Sequence, residues 1–195
     1  MEKLYVVKYT GPFGFIKPWT AVRDSETFSQ QFLTPSMLEG IEKKLFPELL
    51  YYPGALQKII RYRLNYEGIG IQKERTWPKR GGEGNPQKNF HEKMSTIDRG
   101  ILINPHLYLA FHTIADAHQA SSQHICLSRN EDLLYPEAEL QELTEEEFNQ
   151  INGFELIFHE IETPSSFKVG HNRFNGGREM FGELSIIGNP IRTQV

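Results

Sequence analysis

The chain has 195 residues, 38% hydrophobic and 12% aromatic, enough for one sizeable core and too apolar for wholesale disorder. Its single cysteine, Cys126, excludes an internal disulfide and a cysteine-rich zinc site and suits a reducing compartment. The formal net charge of -4 hides an asymmetry: residues 58–99 hold ten Lys/Arg against five acids, whereas residues 130–162 hold no Lys or Arg at all.

Residues 3–10, KLYVVKYT, are rich in β-branched and aromatic side chains and predict a strand. Glu2 and Lys3 charge its start, so the segment does not resemble a secretory leader. No apolar run approaches the roughly 20 residues that span a bilayer, and a soluble cytoplasmic protein is expected. Next comes GPFGFIKPWTAVRD (11–24), in which Phe13, Phe15 and Trp19 alternate with Lys17, Arg23 and two Gly/Pro breaks. In TPSMLEGIEKKLFP (34–47) Thr34 is a good N-cap, Pro35 suits the first helical position and Pro47 closes the segment. Met37, Leu38, Ile41 and Leu45 share one helical face; Glu39, Glu42, Lys43 and Lys44 fall largely elsewhere.

Residues 58–66, KIIRYRLNY, alternate strictly, with Ile60, Tyr62, Leu64 and Tyr66 on one side and Arg61, Arg63 and Asn65 on the other. After GIGIQKE (68–74) comes a Gly-, Pro- and Lys/Arg-rich stretch (75–95), longer than an ordinary connection and therefore functional or disordered. GILINPHLYLAFHTI (100–114) predicts strand broken at Pro105, and a loop follows around Asp116. TEEEFNQI (144–151) predicts a short helix capped by Thr144, with acids in the first turn as the helix dipole favours. GFELIFHEI (153–161) and GELSIIG (182–188) give the last strands. This order predicts one α+β domain over 1–195 with an antiparallel or mixed sheet, an RRM- or ferredoxin-like core being the natural candidate.

His106, His112, His118 and His124 recur every six residues, but no carboxylate or thiol cluster supports them, and no metal site is expected. GHNRFNGGREMFGE (170–183) carries Arg173 and Arg178 among glycines that let a backbone approach phosphates; the alternative is a plain flexible hairpin. It lacks P-loop and Rossmann spacing, so no nucleotide cofactor is indicated. No Ser/His/Asp, Cys/His or paired-carboxylate constellation stands out. A metal-free ribonuclease would need an acid and a base around a 2′-hydroxyl, for which His91, His118 and His171 in predicted loops are available.

Three pieces in order, GPFGFIKPWTAVRD, SQQFLTPSMLEGIEKKLF (29–46) and HICLSRNEDLLYP (124–136), resemble the CRISPR-associated Cas five family, RAMP-type subunits of the type I Cascade complex. The resemblance spans roughly residues 3–190. It implies a modified RRM-like domain with a mainly antiparallel sheet and a protruding basic β-hairpin thumb, here 71–99. Such a subunit caps one end of the ribonucleoprotein and holds the 5′ handle of the crRNA. It contacts the backbone subunit and the large PAM-reading subunit, and so meets target DNA indirectly, in antiviral defence.

On that reading Lys17, Arg23, Arg61, Arg63, Lys73, Arg75, Lys79 and Arg80 contact phosphates, joined by Arg129 of the late motif and Arg173 of the glycine-rich segment. Trp19 and Trp77 are the base-stacking candidates, with Phe13 and Phe15 expected to pack in the core. For Arg129 the alternative is a turn fixed by an internal ion pair. Some relatives process precursor RNA without metal, using a Tyr after the helix and a Lys-His pair after a later strand. Here those positions hold Phe46 and Ala117-His118, so a non-catalytic subunit is expected, with a metal-independent endoribonuclease as the alternative.

Overall fold

The computed structural model describes residues 3–18, 26–52, 56–75, 96–159, 161–172 and 177–192. Strand β1 (Lys3–Thr10) leads to a two-residue strand β2 (Phe13–Gly14), to β3 (Glu26–Phe28) and to helix α1 (Pro35–Leu45). One 3-10 turn (Pro47–Leu49) precedes β4 (Ile59–Asn65), β5 (Gly68–Arg75), β6 (Thr96–Ile103) and β7 (His106–Phe111). Helix α2 (Ile114–Ser121), β8 (Ile125–Cys126), β9 (Leu133–Pro136), β10 (Gln141–Thr144) and helix α3 (Glu145–Phe148) follow. Strands β11 (Gly153–His159), β12 (Phe167–Asn172) and β13 (Arg178–Ile187) complete the chain.

The core is a βαββαβ unit. Strands β1, β4, β7 and β9 lie in the order β4-β7-β1-β9, each antiparallel to its neighbour, with α1 between β1 and β4 and α2 between β7 and β9. That is the ferredoxin-like order 4-1-3-2. The sheet extends through β11, β13 and β12 on one side and β8 on the other, and β10 adds to β1. A second sheet is built from β5, β6, β2 and β3; β5 and β6 pair antiparallel from Gly68↔Ile103 to Arg75↔Thr96, the stem of the expected basic hairpin. Its turn, including Trp77, Lys79 and Arg80, lies outside the described residues. Among the described residues no helix is long and apolar enough to cross a membrane.

Alternation along β1 explains why both faces of the main sheet are covered. Val7 and Tyr9 enter the large core with Leu38, Ile41 and Leu45 of α1 and Ala117 and Ala120 of α2. Leu4 and Val6 face the other way, into a smaller cluster with Ala110 and Phe148 of α3. The Tyr9 hydroxyl donates to Ala120 O at 2.7 Å, and its burial raises the phenol pKa. The capping box of α3 forms, Thr144 Oγ accepting from Glu147 N and the Glu147 carboxylate from Thr144 N.

Three expectations change, and the hairpin alternative for 170–183 is met. The predicted loop around Asp116 is α2, opened by Thr113, whose hydroxyl accepts from Asp116 N at 3.1 Å; His118 therefore sits on a helix and His171 on β12. The glycine-rich segment is the β12–β13 hairpin, with Arg173 outside the described residues. Glu42 is buried rather than on the polar face of α1, because its carboxylate accepts from the backbone N–H groups of Gln57, Lys58 and Ile59 at the entry to β4. A bulge between Ile59 and Arg61 shifts the alternation of β4, so Ile59 joins Tyr62 and Leu64 in the main core while Ile60 packs on the α3 side.

Candidate nucleic-acid interface

The three sequence pieces that carry the resemblance meet in space. At Gly11 the first piece leaves β1 so close to the late motif that a Cβ there would lie 2.3 Å from Leu133 O, leaving room for glycine only. Phe15 O then accepts from Ser128 N at 3.1 Å, and Lys17 N donates to Ser128 Oγ at 2.8 Å. On the other side Ile16 exchanges bonds with the approach to α1: its N donates to Ser29 Oγ at 2.9 Å and its O accepts from Gln30 N at 2.8 Å.

Phe15 is 3% exposed, in keeping with core packing, and its ring is flanked by the guanidinium carbons of Arg99 and Arg129, each 5.4 Å from its centroid. Arg129 closes the 129–132 turn on the buried Asp132 carboxylate (Nη2 to Oδ1, 2.7 Å) and reaches the hairpin stem through Nη1, 2.7 Å from Gln72 Oε1 and 2.6 Å from Glu74 Oε1. Arg99 Nε joins the same Glu74 carboxylate at 3.0 Å. Burial pushes the Glu74 pKa up, but the hydrogen bonds from Arg99 and Arg129 outweigh it and hold the carboxyl below its ordinary value. All three guanidinium nitrogens of Arg129 thus donate to acceptors inside the fold. The arginine fixes the turn and splints it to β5, so the internal ion pair weighed as the alternative for it is formed.

Arg61 and Arg63 also engage carboxylates inside the fold. Arg63 is 1% exposed, its Nη1 lies 2.9 Å from Glu155 Oε2, and its guanidinium lies over Phe148 at 5.3 Å. Burial lowers the Arg63 pKa, with Glu155 opposing. Arg61 grips Glu155 through Nε at 2.6 Å and Nη2 at 2.7 Å, bonds Asn149 Oδ1 at 3.0 Å and pairs with Glu145. Arg63 is thus enclosed beside Phe148 of α3, whereas the Arg61 side chain stays 25% exposed.

Lys17, Lys73 and Arg75 have different surroundings. All three are exposed, and none forms an ion pair with a carboxylate among the described residues. On β5 Lys73 and Arg75 share their outward face with Ile69 and Ile71, 41% and 53% exposed. Asp98 lies opposite Lys73 on β6. Trp19 and Arg23 lie outside the described residues, so the described part of the surface rests on the other cations.

Sequence reasoning missed Lys44. It sits in the last turn of α1, half-buried, with no carboxylate partner among the described residues; its Nζ lies 3.9 Å from Cys126 Sγ. It lines a pocket of about 300 Å³ to which all three pieces contribute: Ile16 from the first, Leu33, Ser36, Met37, Gly40, Ile41 and Lys44 from the second, and Cys126, Leu127 and Ser128 from the third. The available signal was the TPS…G helix itself, whose Gly40 interrupts an otherwise sound helical pattern. A Cβ there would meet nothing within 4 Å, so packing does not demand the glycine.

The histidines disperse. His106 is half-buried on β7, where burial first, then the nearby Arg192 and Lys8, push its pKa down to about 4. His118 is exposed on α2, and His124 lies against Tyr135 with ring centroids 5.8 Å apart. Among the described residues no three His, Cys, Asp or Glu side chains converge as metal ligands would.

No family model matches the sequence, and no curated protein matches it either. Among solved structures, a chain described as "CRISPR RNA-guided surveillance complex" superimposes with a TM-score of 0.54 over 96% of this chain and 91% of its own length, at 11% sequence identity. The two chains share their fold across nearly their whole lengths.

Proposed function

We propose that this chain is a non-catalytic RNA-binding subunit of a CRISPR type I effector complex, capping one end and holding the 5′ handle of the crRNA. The observation that supports it most is the whole-length fold likeness to a chain of an RNA-guided surveillance complex. The convergence of the three resembling pieces around Phe15 and the pocket adds to it. Phosphates meet Lys17, Lys73 and Arg75, exposed cations with no carboxylate partner among the described residues. The acid-rich 130–162 stretch and the exposed Leu50, Tyr51 and Tyr52 remain for the backbone and large protein subunits.

The non-catalytic part rests on two positions. Phe46, where cleaving relatives carry a tyrosine, is fully buried against Phe111, and Lys58 Nζ lies 4.2 Å from its ring centroid. Ala117, where they carry a lysine, is buried in α2 and has no proton to transfer.

The test is a Lys17→Glu, Lys73→Glu, Arg75→Glu variant co-expressed with repeat RNA and partner subunits. The expected result is loss of crRNA co-purification. The log–log salt dependence of RNA binding should flatten by about 0.7 for each single-strand phosphate contact removed. Wild-type assembly and handle protection by this variant would overturn the reading. Specific cleavage of repeat RNA in EDTA, abolished by His118→Ala, would establish the endoribonuclease in its place.

A further inference from the structure

The stem of the basic hairpin meets the rest of the molecule at two places, a pivot and a brace. At the pivot both strands change sheets at one level: Asn65↔His106 is the last pair of β4 with β7, and Gly68↔Ile103 is the first of β5 with β6. Asn104, between those pairs, has φ 45°, a left-handed conformation that asparagine tolerates better than most residues. Its side chain donates to Glu67 Oε2 at 2.7 Å and its N–H to Pro12 O at 3.0 Å. A few residues at the ends of elements are enough to absorb a change of angle, so the stem needs a second hold farther along.

That hold is at Glu74. Successive side chains of a strand point to opposite faces, so Glu74 turns toward the body while Lys73 and Arg75 on either side of it are exposed. Its Oε1 accepts from Arg129 Nη1 at 2.6 Å and its Oε2 from Arg99 Nε at 3.0 Å. Arg129 belongs to the turn closed on Asp132, whereas Arg99 is on β6 and has no other carboxylate partner among the described residues. Both guanidiniums also lie against the Phe15 ring. One carboxylate thus neutralises two arginines from different parts of the fold that otherwise stand as like charges at a single ring. Lys17, close behind Phe15, is on the body side of this brace, its N–H donating to Ser128 Oγ beside Arg129.

We infer that Glu74 is a positioning residue: through Arg129 it fixes the hairpin stem at one angle to the body, and so sets the spacing between Lys17 and the Lys73–Arg75 pair. This rests on the RNA-binding reading, in which those three cations meet phosphates, and adds the device that holds them in place. A strand then meets cations already at matching positions, without the cost of ordering a swinging stem on binding. The sign of the effect separates this role from plain electrostatics. Glu74 is itself an anion beside the phosphate contacts, so neutralising it strengthens the attraction for RNA, whereas losing the brace weakens binding.

The test uses the full chain with Cys126→Ser and nitroxide labels at Thr96→Cys on the stem and Ala115→Cys on α2, both exposed positions. Without RNA, pulsed electron spin resonance should give one narrow distance distribution for this parent and a broadened one for Glu74→Gln, which keeps the size of the side chain but not its charge. Glu74→Gln should also bind single-stranded repeat RNA about tenfold more weakly, one decade, with the slope of log affinity against log salt unchanged. Lys73→Ala is the control: it removes a phosphate contact and should flatten that slope by about 0.7 while the distances stay narrow. Glu74→Asp, with the charge kept and the reach shortened, carries the comparison where the first variant does not fold; a shifted distance is expected, and the parent's distance unchanged counts against the role. A narrow, unshifted distribution in Glu74→Gln, or RNA bound as tightly as by the parent or more so, overturns the positioning role and leaves the RNA-binding reading standing. No RNA binding by the parent overturns that reading and the spacing role with it, and the spin-label distances alone then decide whether Glu74 holds the stem.

Discussion

Arg61 and Arg63 on β4 and Lys73 and Arg75 on β5 belong to one basic stretch of sequence, yet they live in opposite electrostatic surroundings. The β4 pair lies under α3, with Glu155 between the two guanidiniums and Phe148 beneath both. The β5 pair stands on an outward sheet face with no carboxylate bound to either cation among the described residues. The difference follows from layering. Both faces of the main sheet are covered, so a cation on either must find a partner or lose its solvation uncompensated. The smaller sheet leaves one face of β5 to water, where a lysine needs no partner. Whether a cation is available to a ligand is decided by what covers its strand, and not by how many cations surround it in the sequence.

The largest test of this contrast is Glu155→Ala. It strands two guanidiniums, one of them 1% exposed, and breaking a buried pair from one side costs about 3–5 kcal/mol. Urea denaturation should show that loss, with the matching Lys73→Ala within about 0.5 kcal/mol of wild type, as for an exposed side chain without partners. A Glu155→Ala protein as stable as the parent would mean that Arg61 and Arg63 reach water, where an RNA phosphate has access to them.

A smaller effect should appear in acid. His106 lies in the paired part of the molecule, near Lys8 with its Glu137 and Arg192 with its Glu67. Its folded pKa is about 4 against an ordinary 6.5. Below 6.5 the unfolded chain therefore binds a proton that the native chain refuses. Its contribution to stability is fully present above pH 6.5, falls through the window from 6.5 to 4 and is lost below it. His106→Gln should flatten the stability–pH curve in that window and leave it unchanged above pH 7. An NMR titration placing the His106 midpoint near 6.5 would remove the effect.

The elements legible in the sequence are those whose signals are local. Thr34-Pro35 opens α1, Thr144 and Glu147 cap α3, and Asn104-Pro105 separates β6 from β7, each decided within a few residues. Helix α2 had a local signal too, Thr113 three residues before Asp116, but with only alanines at its buried positions its apolar stripe is faint. The misplaced features depend on distant partners. The bulge in β4 is set by pairing with β7, Arg63 meets its carboxylate on β11, and Arg129 meets Gln72 and Glu74 on β5. The pocket was legible only as three separate motifs, because nothing in the chain order says that Ile16, Gly40 and Ser128 share a wall.

The smallest expected effect sharpens the contrast from the open side. Gly40 lies inside α1, where glycine costs roughly 0.5–1 kcal/mol relative to alanine through the backbone freedom lost on folding. An added Cβ would touch nothing within 4 Å, so no packing term opposes the gain. Gly40→Ala should therefore raise stability by about that amount. The same single-carbon change at the crowded Gly11 should destabilise, since its Cβ would fall 2.3 Å from a backbone oxygen. Thermal melts of the two variants side by side decide the matter. A stabilised Gly40→Ala means that this helix gives up stability where it borders the pocket, as expected of a wall kept bare for a ligand. A destabilised one means that the space beside Gly40 closes in solution, and the pocket with it.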